Sequence, residues 1–191
     1  VRIEGVYVPQ VGNTYSRLRR FPEALVHYSE ATALADRVHP GSTTRRARIY
    51  SNFGSALAGA GKPAQANAAF LVAENIYREL GDADSPAFAA LVHNRGTLLR
   101  DVGAAEQAVP LIDAAHAIAQ RRFGANDARS LTALRNLAFA RAEAAADPQA
   151  ERDWQQVRDA APAAMPPRDR FELLLIGAHV AALAGDGATA S

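Results

Sequence analysis

An all-α fold, a stack of antiparallel helix hairpins, is what this sequence predicts, and three observations carry the prediction. The apolar share, 49% of 191 residues, comes heavily from alanine, while aromatics make up 7% and long runs of Val, Ile and Thr are absent. Alanine favours closely packed helices, whereas sheets draw on β-branched and aromatic residues. Small residues recur at a fixed period: Gly12, Gly54 and Gly96 are spaced by 42 residues, and further steps of 42 reach Ala138 and Val180. Large apolar residues flank them at spacings of three and four, which mark one face of a helix.

The first helix of each unit is set by those flanks. Val8, Tyr50, Val92, Leu134 and Ile176 precede the small residue by four, and Tyr15, Leu57, Leu99 and Leu183 follow it by three, with Arg141 the exception. Pro9 shortens the first of these helices, and the residues before it read as strand or coil. The spacing predicts first helices near 9–19, 44–59, 86–101, 128–144 and 169–184. A second amphipathic helix repeats in the same register, with Ala24, Ala66, Ala108 and Ala150 followed four residues on by Tyr28, Phe70, Ile112 and Trp154. Ala31, Ala73, Ala115 and Val157 continue that face, alternating small with large as close helix pairs require. These second helices are expected near 22–37, 63–80, 105–122 and 149–161.

Breakers separate the two helices of a unit at Arg20-Phe21-Pro22, Gly59-Ala60-Gly61-Lys62-Pro63, Val102-Gly103 and Asp147-Pro148. Glycine ends one helix and proline opens the next. Longer connections, His39-Pro40-Gly41-Ser42, Gly81 to Pro86 and Gly124 to Asp127, supply Asp, Ser and Asn to cap the helices that follow. The units fall near 5–42, 43–85, 86–127 and 128–167, with a truncated fifth at 168–191, all within one solenoid over 1–191. Arg95 and Arg141 replace apolar residues on the packing face and Pro9 interrupts the first helix, so the first and fourth units are read as degenerate. The fifth stops before its second helix, which leaves an apolar helix face open to self-association.

Charge and composition narrow the function classes. The 21 basic and 20 acidic residues leave a net charge of +1, so no strong field draws in nucleic acid. Cysteine is absent, which removes disulfides, thiolate metal sites and a cysteine nucleophile. No apolar run approaches the ~20 residues of a membrane span, the first ten residues lack the pattern of a secretion signal, and a cytoplasmic location is expected. With Val1 at its start and Met165 its one methionine, the chain is read as a region of a longer protein.

The small residue in the first helix, the alanine in the second and the bulky residue four after it resemble the tetratricopeptide repeat family. The period of 42, Ser51-Asn52-Phe53-Gly54, Ala105 to Leu111 and Pro110 are similar to its kinesin light chain variety, in which proline often stands at the matching place of the second helix. The resemblance covers nearly the whole chain. It implies a right-handed superhelical solenoid whose first helices line a concave groove, and a protein or peptide docked there.

The helix face opposite the packing residues carries Arg48, Ser51, Asn52, Ser55 and Ala58 in the second unit, then Ala90, His93, Asn94, Thr97 and Arg100 in the third. The fourth adds Thr132, Arg135, Asn136, Phe139 and Ala142. Asn52, Asn94 and Asn136 form a ladder at intervals of 42, each side chain offering both donor and acceptor. In the kinesin light chain variety asparagines at this place grip the main chain of an extended peptide, and the resemblance implies the same role here. Arg48, Arg100 and Arg135 suit carboxylates of an acidic partner, and Ser55, His93 and Thr97 complete the candidate site. The competing reading is that the asparagines fix repeat packing and the arginines reflect composition, since all but one of the basic residues are arginine.

Catalysis has no visible seat. Gly54 to Lys62 lacks the glycine and the Ser or Thr of a phosphate-binding loop, there is no Gly-x-Ser-x-Gly elbow, and Glu74, Glu79, Glu106 and Glu143 are expected on solvated faces. The five histidines show no metal-ligand spacing, and no cofactor is expected. Trp154 fills the large core position of its repeat. The expected function is a protein- or peptide-binding scaffold, part of a larger bacterial signalling or regulatory protein and not itself an enzyme. The rival readings are a peptide-sensing domain that regulates a fused kinase or transcription regulator, and a single-stranded RNA binder, against which the balanced charge weighs.

Overall fold

The computed structural model describes residues 4–38, 41–145, 148–160, 174–175, 177–178 and 180–182, and all the regular structure among them is helical. The chain divides into two compact units, Val1–Leu98 and Leu99–Ser191. Unit 1 holds α1 (Glu4–Arg17), α2 (Phe21–Val38), α3 (Thr44–Gly59), α4 (Pro63–Glu79) and most of α5 (Pro86–Asp101). Here α1 packs on α2, α2 on α3 and α3 on α4. Unit 2 holds α6 (Ala105–Phe123), α7 (Ala128–Ala145) and α8 (Pro148–Asp159), with α7 packed on both its neighbours. Residues 174–175, 177–178 and 180–182 are also helical. The rest of the fifth helix expected at 169–184 lies outside the described residues, as does the Asp147 breaker.

The tight turns follow one design. After α3 the backbone N–H of Gly61 bonds to the carbonyl of Ala58 and that of Lys62 to the carbonyl of Leu57, the paired bonds of a Schellman cap. Gly61 sits at φ 71° and Gly103, one period on, at φ 83°, a left-handed conformation that a Cβ disfavours. One period earlier the same place is held by Arg19 at φ 57°, with Arg19 N bonded to Ser16 O and Arg20 N to Tyr15 O. The bond pattern therefore forms even where the residue is poorly suited to it.

The longer connections end in caps. Thr43 Oγ1 accepts from Arg46 N at 3.2 Å, Ser85 Oγ accepts from Phe88 N at 3.2 Å, and Asp127 Oδ1 accepts from Arg129 N at 2.9 Å. Thr43 rather than Ser42 does this for α3. The Ser42 hydroxyl instead donates to Glu79.

The first helix departs from expectation. It begins at Glu4, not at residue 9, and Pro9 lies inside it. A proline within a helix costs about 3 kcal/mol through its lost N–H and its clash with the preceding turn. Continuing the helix places Val8 against Ala31, Ala35 and Ile49, and that burial offsets the local penalty.

The small-large register forms the cores. A Cβ built on Gly12 would stand 3.1 Å from the Tyr28 ring, and one on Gly54 2.7 Å from that of Phe70, so the aromatic of the second helix lies directly on the backbone of the first. In unit 2, Ala108, Ile112, Leu134, Leu137, Ala138, Ala150, Trp154 and Val180 make one buried cluster. Trp154 also covers Gly177.

Glu74 corrects the expectation of a solvated acid: its side chain is 1% exposed. It accepts from Arg95, 17% exposed, and from Arg78 on its own helix, and Arg95 Nε also donates to Asn67 Oδ1 at 2.9 Å. The arginine that looked misplaced on an apolar face is thus half of a buried ion pair. Arg141 repeats the device in unit 2, paired with the buried Asp153 and, at 3.3 Å, with Asp113. A charge in the interior requires such a partner, because an unpaired one would have lost its hydration without compensation.

Candidate functional site

The chain's polar first-helix face is best developed in unit 1. Asn13 of α1, one residue after Gly12, and Asn52 of α3, two residues before Gly54, meet across neighbouring hairpins: Asn52 Nδ2 donates to Asn13 Oδ1 at 2.9 Å. The same step recurs one repeat on, where Asn94 Nδ2 of α5 donates to Ser55 Oγ at 3.4 Å. Both pairs span 39 residues, so the hydrogen bonds follow from the repeat period. Each asparagine spends one N–H on its neighbour and keeps a second N–H and a carbonyl oxygen.

Tyr28 joins this row from the core. Its ring is 1% exposed, yet its hydroxyl donates to Asn13 Oδ1 at 2.5 Å. Burial pushes the phenol's pKa up, against a smaller opposing pull from the Ser16 hydroxyl, so Tyr28 stays a neutral donor. Around this junction lies a cleft of about 500 Å³, lined by Asn13, Ser16, Arg17, Phe21, Tyr28, Asn52, Ser55 and Ala56. No carboxylate lines it.

The remaining candidates fall as follows. Arg48 is exposed and has no ion-pair partner among the described residues, His93 is half-buried, and the Thr97 hydroxyl is buried without a hydrogen bond. In unit 2, Arg100 donates to Asp101 Oδ1 at 2.8 Å and lies 5.8 Å from the Phe139 ring centre, so part of its charge is engaged within the fold. Arg135 and Asn136 are half-buried on α7. Unit 1 therefore holds two separate hydrogen-bonded pairs on this face, Asn52 with Asn13 and Asn94 with Ser55. Unit 2 holds Arg100, Arg135 and Asn136 on its own first-helix residues.

Sequence reasoning missed Asn13, Ser16, Arg17 and Tyr28. The signal was present, because Asn13 occupies the register position of Ser55 and Thr97. Reading the first unit as degenerate on account of Pro9 removed it from view. Tyr28 gave no such signal: a core position says nothing about where a hydroxyl ends.

No cluster of histidine and carboxylate side chains suited to a metal ion occurs among the described residues, and none of their helices is long and apolar enough to cross a membrane.

Comparison with known proteins agrees with this architecture. The tetratricopeptide repeat family profile matches residues 3–79. BtubC (BKLC) from P. vanneervenii superposes with a TM-score of 0.78 at 20% identity, over 94% of this chain and 72% of that one. A kinesin light chain-type protein of nearly identical TPR-like repeats from Podosopora anserina gives 0.81 at 16% identity, over 94% and 86%. A Rap protein complexed with competence and sporulation factor gives 0.67 at 17% identity, over 82% and 42%. Curated protein sequences give no match.

Proposed function

We propose that the chain, whose residues 3–79 match the tetratricopeptide repeat profile, is a docking scaffold whose first-helix face holds an extended, acidic peptide segment of a partner protein. The observation that carries this reading is the row of amides on α1, α3 and α5. Asn13, Asn52 and Asn94 are tied into fixed orientations by bonds that repeat with the hairpins, and Asn52 and Asn94 keep an N–H and a carbonyl free. An extended peptide backbone presents alternating N–H and C=O groups, which such a row can pair without regard to side-chain identity. Arg48, exposed at one side of the row, supplies charge for an acidic side chain. Ser55, His93 and Thr97 flank the same face, and Arg100, Arg135 and Asn136 offer a second stretch on unit 2. The hydrogen bonds within the row also satisfy the packing account of the asparagines, so the spare amide groups, not the bonded ones, are what distinguish a binding surface.

The fold is that of a non-catalytic scaffold family, and no enzymatic activity is assigned. The Rap protein that shares the fold is complexed with competence and sporulation factor, in keeping with a ligand held by such a fold, and the setting proposed for this chain is a bacterial regulatory protein in the cytoplasm. The test is a printed array of random-sequence peptides probed with wild type, with Asn52→Ala/Asn94→Ala, and with Asn136→Ala, after circular dichroism shows equal helicity. Peptides bound by wild type and lost by the double variant support the reading. Identical binding by all three assigns the ladder to packing alone.

A further inference from the structure

We propose that the buried Glu74–Arg95 pair, together with the polar couples at the neighbouring joints, decides which first helix docks on which second helix, so that the helices of a second copy of this chain are refused wherever they are offered out of register. This concerns the joints between hairpins and does not depend on the docking reading above. The apolar pattern cannot make such a choice. Gly12, Gly54 and Gly96 recur in step with Ala24, Ala66 and Ala108, and the ring of Phe70 lies on Gly54 as that of Tyr28 lies on Gly12. A first helix would therefore find the same alternation of small and large residues on α2, α4 or α6. Wrong pairing between like units is a characteristic failure of repeat chains.

The polar couples, by contrast, differ at each joint. Where α3 meets α2, Asp36 accepts from Arg46 Nε at 2.7 Å and from the Tyr50 hydroxyl at 2.6 Å. Where α5 meets α4, Arg95 donates to Glu74 and to Asn67. Where α7 meets α6, Arg141 Nη2 donates to Asp113 Oδ1 at 3.3 Å. The three couples stand at three different register positions. One and two periods on from Asp36 come Arg78 and Gln120, one period to either side of Glu74 stand Thr32 and His116, and one and two periods before Asp113 stand Leu71 and Ser29.

A misplaced helix therefore meets the wrong groups. On α2, α5 would set Arg95 against Thr32 and Leu25 in place of Glu74 and Asn67, with Phe88 where Arg46 pairs Asp36. On α4, α7 would set Leu137 against Glu74. Each arrangement strands a charge that has lost water and gained no partner. The choice is thus made by the penalty in the wrong docking more than by a gain in the right one. Glu74 carries most of it, because its carboxylate is 1% exposed, whereas Asp36 at 43% and Asp113 at 54% keep much of their hydration when unpaired.

The test is co-refolding. 15N-labelled and unlabelled chains are refolded together from denaturant, or mixed only after folding, and native mass spectrometry counts oligomers of mixed isotope. Species that form only on co-refolding report helix exchange, since ordinary surface association also forms between folded chains. Glu74→Leu/Arg95→Met removes both charges and fills their space, so it should melt within about 4 °C of wild type yet give about 10-fold more exchanged oligomers. A share equal to that of wild type overturns the proposal. Glu74→Arg and Arg95→Glu are each mismatched alone, but in a crossed dimer α4 of the first meets a matching α5 of the second while the reciprocal joint is the wild-type one. Their mixture should therefore give about 10-fold more crossed dimer than either self-dimer, against about 2-fold for random pairing. Crossed dimers at the random share, or a mixture that fails to recover its helical signal, overturn it. Glu74→Arg/Arg95→Glu in one chain should refold alone and melt within about 4 °C of wild type; a melting temperature as low as that of either single variant overturns the claim that charge matching is what the joint reads.

Discussion

Replacing Glu74 by leucine exposes how much of unit 1 depends on one buried charge pair. The Glu74 carboxylate is 1% exposed and Arg95 17% exposed. Removing the acid leaves a guanidinium largely withdrawn from water with Asn67 as its remaining hydrogen-bond partner. Breaking a buried pair from one side costs about 3–5 kcal/mol. The residual access of Arg95 to water and its Asn67 bond place this case near the lower end, about 3 kcal/mol. The accompanying loss of the Arg78 pair, whose guanidinium is 57% exposed, adds no more than a few tenths of a kcal/mol. For a chain of this length 1 kcal/mol shifts the melting temperature by roughly 2–4 °C, so Glu74→Leu should melt roughly 6–12 °C below wild type by circular dichroism. The companion Glu74→Leu/Arg95→Met removes both charges and fills the same space with apolar atoms, and should recover to within about 1 kcal/mol of wild type. An unchanged melting temperature for Glu74→Leu, or a double variant less stable than either single one, would refute the argument that desolvation of the unpaired arginine sets the cost.

Other perturbations follow from the same structure. Gly54→Ala places a methyl 2.7 Å from the Phe70 ring. It should lose about 1–3 kcal/mol to overpacking, against a gain of no more than about 1 kcal/mol in helix propensity, so net destabilisation in chemical denaturation is expected, and a net gain would show that the ring yields freely. Arg19→Gly relieves the left-handed backbone at φ 57° and should stabilise by about 1 kcal/mol, visible as a higher melting temperature; a fall would mean that the stacking of Arg19 on Phe21 outweighs the strain. Ser85→Ala removes the oxygen that accepts from Phe88 N and should cost about 1 kcal/mol, with faster amide exchange confined to the start of α5. Asp127 is held at a pKa of about 2 by the Arg129 guanidinium and its backbone N–H. A depressed carboxyl contributes stability that is present above its unfolded pKa near 3.8 and lost as pH falls towards 2. Asp127→Asn should therefore lessen the acid dependence of stability between those values, and an identical pH profile would deny the pair any role in the fold.

The helical elements could be read because their causes are local. The bounds expected for α3 and α5, 44–59 and 86–101, coincide with Thr44–Gly59 and Pro86–Asp101, where proline or a threonine cap opens the helix and breakers close it. The start of α1 could not be read, because the burial of Val8 that carries the helix through Pro9 comes from α2 and α3. Arg95 and Arg141 were recognised as out of place, but their partners Glu74 and Asp153 lie 21 and 12 residues away. Periodicity assigns faces and is blind to such a pairing.

The sequence by itself determined the hairpin architecture, the 42-residue register and the face on which asparagines accumulate, since each follows from side-chain period and turn chemistry within a few tens of residues. Only the tertiary structure decided how each amide is oriented, which arginines are spent on interior carboxylates, and that a core tyrosine reaches the polar face. Those outcomes turn on distances of a few ångströms between side chains remote in sequence. A hydrogen bond or a buried charge is decided at that scale, whereas a repeat pattern fixes only which residues share a face.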